Sequence, residues 1–102
     1  MQPKPGTRLR SAVCETEIIV TRSPKHDVQI RCGGHSVIGP NQEKPSGIEL
    51  SADHASGTQM GKRLADAESG LEVLCAKGGK GSVTVDSRPM IAKETKALPA
   101  SD

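Results

Sequence analysis

Three cysteines and one histidine are the residues of this chain whose types and spacing suit chemistry best. Cys14, Cys32 and Cys75 each close a short aliphatic stretch (Val13-Cys14, Ile30-Arg31-Cys32, Leu74-Cys75), and polar or glycine residues follow each thiol. Cys32-Gly33-Gly34-His35 has the two-residue gap of a metal knuckle, in which glycines let the backbone turn sharply and aim amides at a thiolate. Joined by Cys14 and Cys75, these residues form a Cys3His donor set of the kind that holds structural zinc tetrahedrally. The plainer reading is that a free cysteine is a small buried hydrophobe, and it is the first reading for all three. Cys32 and His35 also have the types of a nucleophile and its base, with the amides of Gly33 and Gly34 facing an oxyanion. Spacing shows neither the cleft nor the lowered thiol pKa that such chemistry requires. A dithiol redox pair is not expected, because no Cys-x-x-Cys occurs.

A second candidate lies in Lys77-Gly78-Gly79-Lys80-Gly81-Ser82. It departs from the phosphate-binding Gly-x-x-x-x-Gly-Lys-Ser/Thr pattern, since Ser82 occupies the place of the lysine. The amides of a glycine-rich, doubly basic tip still suit an anion, so Lys77, Gly78, Gly79 and Lys80, with Gly33 and Gly34, are the candidate ligand-binding residues. A flexible turn is the simpler alternative. His26 and His54 are expected as exposed polar residues. Asp66, Glu68 and Asp86 fall at turns, where carboxylates bond the local backbone, and no acid–base pair stands out.

The elements that must position these groups read as short strands. Leu9 to Cys14 and Glu17 to Arg22 favour one bent strand or two. Val28, Ile30 and Cys32 alternate with polar residues and so face one side of a third, and His35 to Ile38 returns after Gly33-Gly34. Ile48 to Leu50 is a further expected strand, and residues 51–55 a helical turn capped by Ser51. Met60 to Ala65 and Leu71 to Lys77 flank Asp66-Ala67-Glu68-Ser69-Gly70, a connection of hairpin length ending in glycine. Val83, Val85 and Met90-Ile91 follow. Segments 28–38 and 71–85 resemble each other as strand, turn, strand units. The expected fold is an all-β, small single-domain barrel or sandwich of seven or eight short strands. Residues 8–92 form the domain, with flexible tails at 1–7 and 93–102.

Composition limits what this body can do. The 102 residues include 19 Ile, Leu and Val but no Phe, Tyr or Trp, so the core is thin and outside support is expected from a metal, a partner or a second copy. Fourteen basic and twelve acidic residues nearly cancel. That balance speaks against disorder and against a basic field for nucleic acid, whose single strands would also want aromatic stacking surfaces. Nothing resembles a membrane span or a signal sequence, and an odd number of thiols suits a reducing compartment, so a cytoplasmic location is expected. The functional expectation is a small non-catalytic accessory or binding protein acting through a protein partner or enzyme subunit, with zinc as its structural cofactor. The alternative is a small-molecule or anion-binding module, or a small thiol enzyme, using the Cys32 to His35 turn and the Lys77 to Ser82 loop. A homo-oligomer is a third reading, in which apolar residues such as Ile19, Val37 or Leu74 would cluster on the outside.

Overall fold

The structure is a computed structural model and describes residues 2–44 and 47–93. Its strands are β1 (Arg8–Arg10), β2 (Glu17–Arg22), β3 (Ile30–Cys32), β4 (His35–Ser36), β5 (Arg63–Ala65), β6 (Glu72–Lys77), β7 (Val83–Val85), β8 (Arg88–Pro89) and β9 (Ile91–Lys93). They build two antiparallel sheets, one in the order β1-β2-β6-β5-β9 and the other β4-β3-β7-β8. The fold is therefore all-β, and neither sheet closes into a barrel. The one helical element among the described residues is a 3₁₀ turn at Ala52–His54, far too short to cross a membrane.

Alternation fixes which side chains enter the core. In β2, Ile18 and Val20 are buried while Ile19 is half-exposed, and in β6 Val73 and Cys75 are buried while Leu74 is half-exposed. Register then stacks Ile18 against Cys75 and Val20 against Val73. The second sheet sets Ile30 against Val85 and Cys32 against Val83. Both sheets contribute to one hydrophobic cluster, which also takes in Leu9, Val28, Val37, Leu64, Leu71 and Met90. Without aromatics, its fully buried members are Ile, Leu and Val, with Cys32, Cys75, Thr16, Ser11 and Ser69 completing the filling. On the outer face of the five-stranded sheet, Ile19 and Leu74 are paired neighbours, and Arg8 and Arg63 stand opposite them in register. Ile19 and Leu74 thus lie together on the outer face, as the oligomer reading expects of such residues, whereas Val37 is buried in the core.

Several local expectations change. Nine strands occur among the described residues instead of seven or eight, because Asp86 and Ser87 both take positive φ (49° and 70°) and fold β7 back on β8. A glycine-free Asp-Ser pair hides the signal that such a two-residue turn normally gives. Ile48 to Leu50 is not a strand, and its neighbourhood is held by single bonds, Ser51 N–H to the Gly33 carbonyl and the His35 ring to the Glu49 carbonyl. Ser51 precedes the 3₁₀ turn, but its side chain makes no capping bond. The two similar segments diverge in space. Gly33-Gly34 turns β3 tightly onto β4, whereas Lys77 to Ser82 carries the chain from β6 in one sheet to β7 in the other. Part of the segment expected as a loose N-terminal tail is bonded to the body, through Gly6 N–H to the Val20 carbonyl and the Ser23 hydroxyl to the Pro3 carbonyl. Lys93 belongs to β9, and the remainder of the expected C-terminal tail, 94–102, lies outside the described residues.

The hairpin foreseen at 66–70 forms, with Leu64 opposite Val73. Asp66 holds it together: its carboxylate accepts the Ser69 hydroxyl at 2.6 Å and Arg88 Nη2 at 2.8 Å, so the turn of one sheet is tied to β8 of the other. Hydrogen bonding to Arg88 is the main reason the Asp66 carboxyl drops to about 2, and Ser69 assists while burial opposes.

Candidate functional site

The connection between β1 and β2 folds around a buried serine. Ser11 Oγ accepts the amide hydrogens of Val13 and Cys14, both at 3.1 Å, and Ser11 N–H donates to the Thr16 carbonyl at 2.8 Å. A hydroxyl that bonds the backbone two and three residues ahead fixes a tight turn. The turn directs Cys14 Sγ toward the end of β3, where it lies 4.0 Å from Cys32 Sγ and 3.2 Å from Thr16 Oγ1. Ser11 and Thr16 are 1% exposed and Cys32 likewise, while Cys14 is partly open to solvent. Lys44 Nζ donates to the Cys14 carbonyl at 2.7 Å and brings a cation to the outer side of the turn.

The glycine-rich crossover covers this pair. A methyl group on Gly81 would lie 3.0 Å from Cys32 Sγ and 3.1 Å from Cys14 Sγ, and one on Gly79 would lie 3.1 Å from Cys14 Sγ. Glycine is therefore needed here for close approach. The two thiols differ in character. Burial pushes the Cys14 thiol up, but hydrogen bonds from the Ser11 and Thr16 side chains and from the amides of Thr16 and Gly81 outweigh it and bring it down to about 7. Burial, and then the adjacent Cys14 charge, push Cys32 up to about 12. Cys75 is also raised, first by burial, and its Sγ–H donates to the Lys77 carbonyl at 3.2 Å.

Of the expected metal donors, the structure brings Cys14 and Cys32 together. Cys75 is engaged with Lys77, and the His35 ring donates to the Glu49 carbonyl at 2.8 Å. Among the described residues no three His, Cys, Asp or Glu side chains gather as a metal ion requires. The two glycine turns do meet, since Gly33 N–H donates to the Ser82 carbonyl at 3.0 Å. That bond uses an amide expected to face a ligand, and Gly33 is packed against Leu50 and Val13. Gly34 lies against Ser51, Gly78 against the Thr58 carbonyl, and Lys77 pairs with Glu15 at 3.8 Å. No protein-family model, curated protein or solved structure matches this chain.

A separate groove of about 720 Å³ opens where β5 and β9 of one sheet face β7 and β8 of the other. Leu64, Val83, Met90 and Ala92 give it apolar surface, and Asp53, His54, Thr58, Gln59, Lys62 and Ser82 give it polar surface. Of the six residues expected to bind ligand, Gly79 reaches this groove, and Lys80 is exposed beside it in sequence. The segment that forms the far wall is laced to the crossover: Thr58 Oγ1 donates to the Gly81 carbonyl at 2.8 Å, Ser82 N–H to the His54 carbonyl at 2.8 Å, and Ser56 N–H to Ser82 Oγ at 2.9 Å. Gly79 thus touches the groove on one side and Cys14 on the other. Sequence reasoning missed Ser11 and Thr16 as thiol partners, though a hydroxyl residue two or three positions from a cysteine is a visible cue. The groove had no such cue, because its wall is assembled from segments far apart in the chain.

Proposed function

We propose that this chain is a non-catalytic binding module that acts through a protein partner, taking an extended segment of that partner along the groove. The observation that carries this reading is the groove's position. It runs beside β8 and β9, the outermost strands of their sheets among the described residues, and Met90 between them faces into it. The two sheets are best read as an open sandwich with its accessible seam on this side. An edge strand offers main-chain donors and acceptors to an added strand, and alternate side chains of that strand can enter an adjoining apolar groove. Ala92, exposed on β9 opposite Leu64 in register, supplies an apolar contact in the groove beside that edge.

A second reading has its own support: about 720 Å³ falls inside the range of roughly 300–1,000 Å³ typical of small-molecule sites, so an amphipathic small ligand suits the same space. Selection from a random-peptide display library, followed by amide chemical-shift mapping of the best peptide, separates the two. The partner reading expects enriched peptides with alternating apolar residues, shifts at β9 and at Leu64, Val83 and Met90, and loss of binding in Ala92→Asp, a change at an exposed position that lines the groove. Fragments binding in the groove while no peptide does would establish the small-ligand reading in its place.

A further inference from the structure

We propose that Cys14 and Cys32 are a reversible dithiol–disulfide pair, with Cys14 as the attacking thiol and Cys32 as the resolving one. The sequence gives no hint of this, since the residues are 18 positions apart and lie in no redox motif. The structure sets their sulfurs 4.0 Å apart, one partly open to solvent and one buried. A disulfide needs the sulfurs at about 2.05 Å, so the gap must close by about 2 Å. The backbone of Cys14 is held by Ser11 and that of Cys32 by the ladder opposite Val83, so rotation of the partly open Cys14 side chain is the motion that closure calls on.

The chemistry balances with a low-molecular-weight disulfide, RSSR, as oxidant. Cys14 Sγ, as thiolate, attacks one sulfur of RSSR, the S–S bond of RSSR breaks, and RS⁻ leaves and takes up a proton to become RSH. Cys32 then loses its proton and attacks Cys14 Sγ. The mixed disulfide breaks, a second RSH leaves, and the Cys14–Cys32 bond remains, so two thiols have been oxidised by two electrons and RSSR reduced to two RSH. The Ser11 and Thr16 hydroxyls and the Gly81 amide, all directed at Cys14, favour the thiolate that starts the sequence. Capping Cys14 as a mixed disulfide also removes the neighbouring charge that opposes ionisation of Cys32. The product would bolt the β1–β2 turn of one sheet to β3 of the other.

Each cysteine lies on its own tryptic peptide (11–22, 32–62 and 64–77), so linkage can be read directly. The full chain is incubated, folded, in mixtures of oxidised and reduced glutathione, acid-quenched, alkylated and digested. The expected product is a 11–22 peptide linked to a 32–62 peptide, reversible with reduced glutathione, while Cys75 stays alkylatable after unfolding. Cys32→Ser should accumulate glutathione on Cys14, and Cys14→Ser should leave Cys32 reduced. A stable glutathione adduct on Cys14 of the unaltered chain, a link through Cys75, or oxidation seen only in urea would each overturn the proposal. The unaltered chain alone gives a decisive result should a variant fail to fold.

Discussion

Replacing Gly79 with alanine tests how tightly the crossover seats on the thiol turn. The added methyl would lie 2.4 Å from Thr16 Oγ1, 2.6 Å from Thr16 N and 3.1 Å from Cys14 Sγ. Thr16 is 1% exposed, and its amide nitrogen is backbone, so a rotamer change cannot relieve the overlap. The crossover must back away by about 1 Å, which forced methyl groups in packed interiors convert into losses of about 1–3 kcal/mol. Backing away also strains the bridge to Thr58, whose bonds are 2.9 and 3.1 Å, at about 1 kcal/mol for each bond lost. Alanine recovers about 0.4–1 kcal/mol by restricting the unfolded chain, because Gly79 does not use positive φ. The net expectation is a loss of about 2–3 kcal/mol, or a melting point lower by about 10–20 °C for a domain of this size. With no Phe, Tyr or Trp to report by fluorescence, urea unfolding followed by far-UV circular dichroism, with calorimetry, is the assay. Gly61→Ala is the control: φ is +86° and nothing lies within 4 Å of the added methyl, so backbone strain alone should cost about 1 kcal/mol. A Gly79→Ala chain as stable as the original, or no worse than the control, would refute the close seating of the crossover.

Three further outcomes follow from named contacts. Asp66 has a folded pKa of about 2, below the unfolded value near 4, so its contribution is present above about pH 4 and is lost as pH falls toward 2. Discounted for the partial exposure of Arg88, it amounts to about 1–2 kcal/mol; Asp66→Asn should lower the urea midpoint at pH 6 and flatten the acid limb, and an unchanged limb in that variant would assign the acid loss elsewhere. Elemental analysis of protein purified without chelator should find no stoichiometric zinc, whereas one zinc per chain, lost in Cys14→Ser and His35→Ala, would restore the fourfold site read from the sequence. Oxidation of the thiol pair should shift the amide resonances of Gly79 and Ser82 at the groove, because Gly79 touches both places; unchanged resonances there would show that the two sites are independent.

Alternation made much of the fold legible. Ile18 and Val20, Ile30 and Cys32, Val73 and Cys75, and Val83 and Val85 all lie where a period of two puts them, facing one core. Gly70, with φ of +80°, closes the hairpin its sequence announces. The order of strands within the sheets was not legible, since a crossover such as Lys77 to Ser82 and a tight turn such as Gly33-Gly34 share the same glycine-rich signature. Ile48 to Leu50 has the composition of a strand, but among the described residues it has no ladder partner. The thiols were half legible. Each ends an aliphatic stretch, which brings Cys14 and Cys32 to one seam, but Cys75 lies within β6 and turns to the Lys77 carbonyl.

The absence of aromatics ties the two sites together. A seam between sheets filled by large rings would need neither glycine at close approach nor buried hydroxyls and thiols, because one ring brings about 150–250 Å² of contact. Here the seam is closed by Ser11, Thr16, Cys14 and Cys32 under Gly79 and Gly81, small groups whose polar atoms need partners and find them in one another. Filling a gap with such groups places a hydrogen-bonded, partly exposed thiol beside a buried one. Reactivity is then a consequence of how the interior was filled. It follows that replacing Cys32 with valine, a close match in size, should keep the fold and its stability within about 1.5 kcal/mol. The same change should abolish the disulfide. A chain that unfolds on this substitution would show instead that the sulfur is needed for its polar contacts.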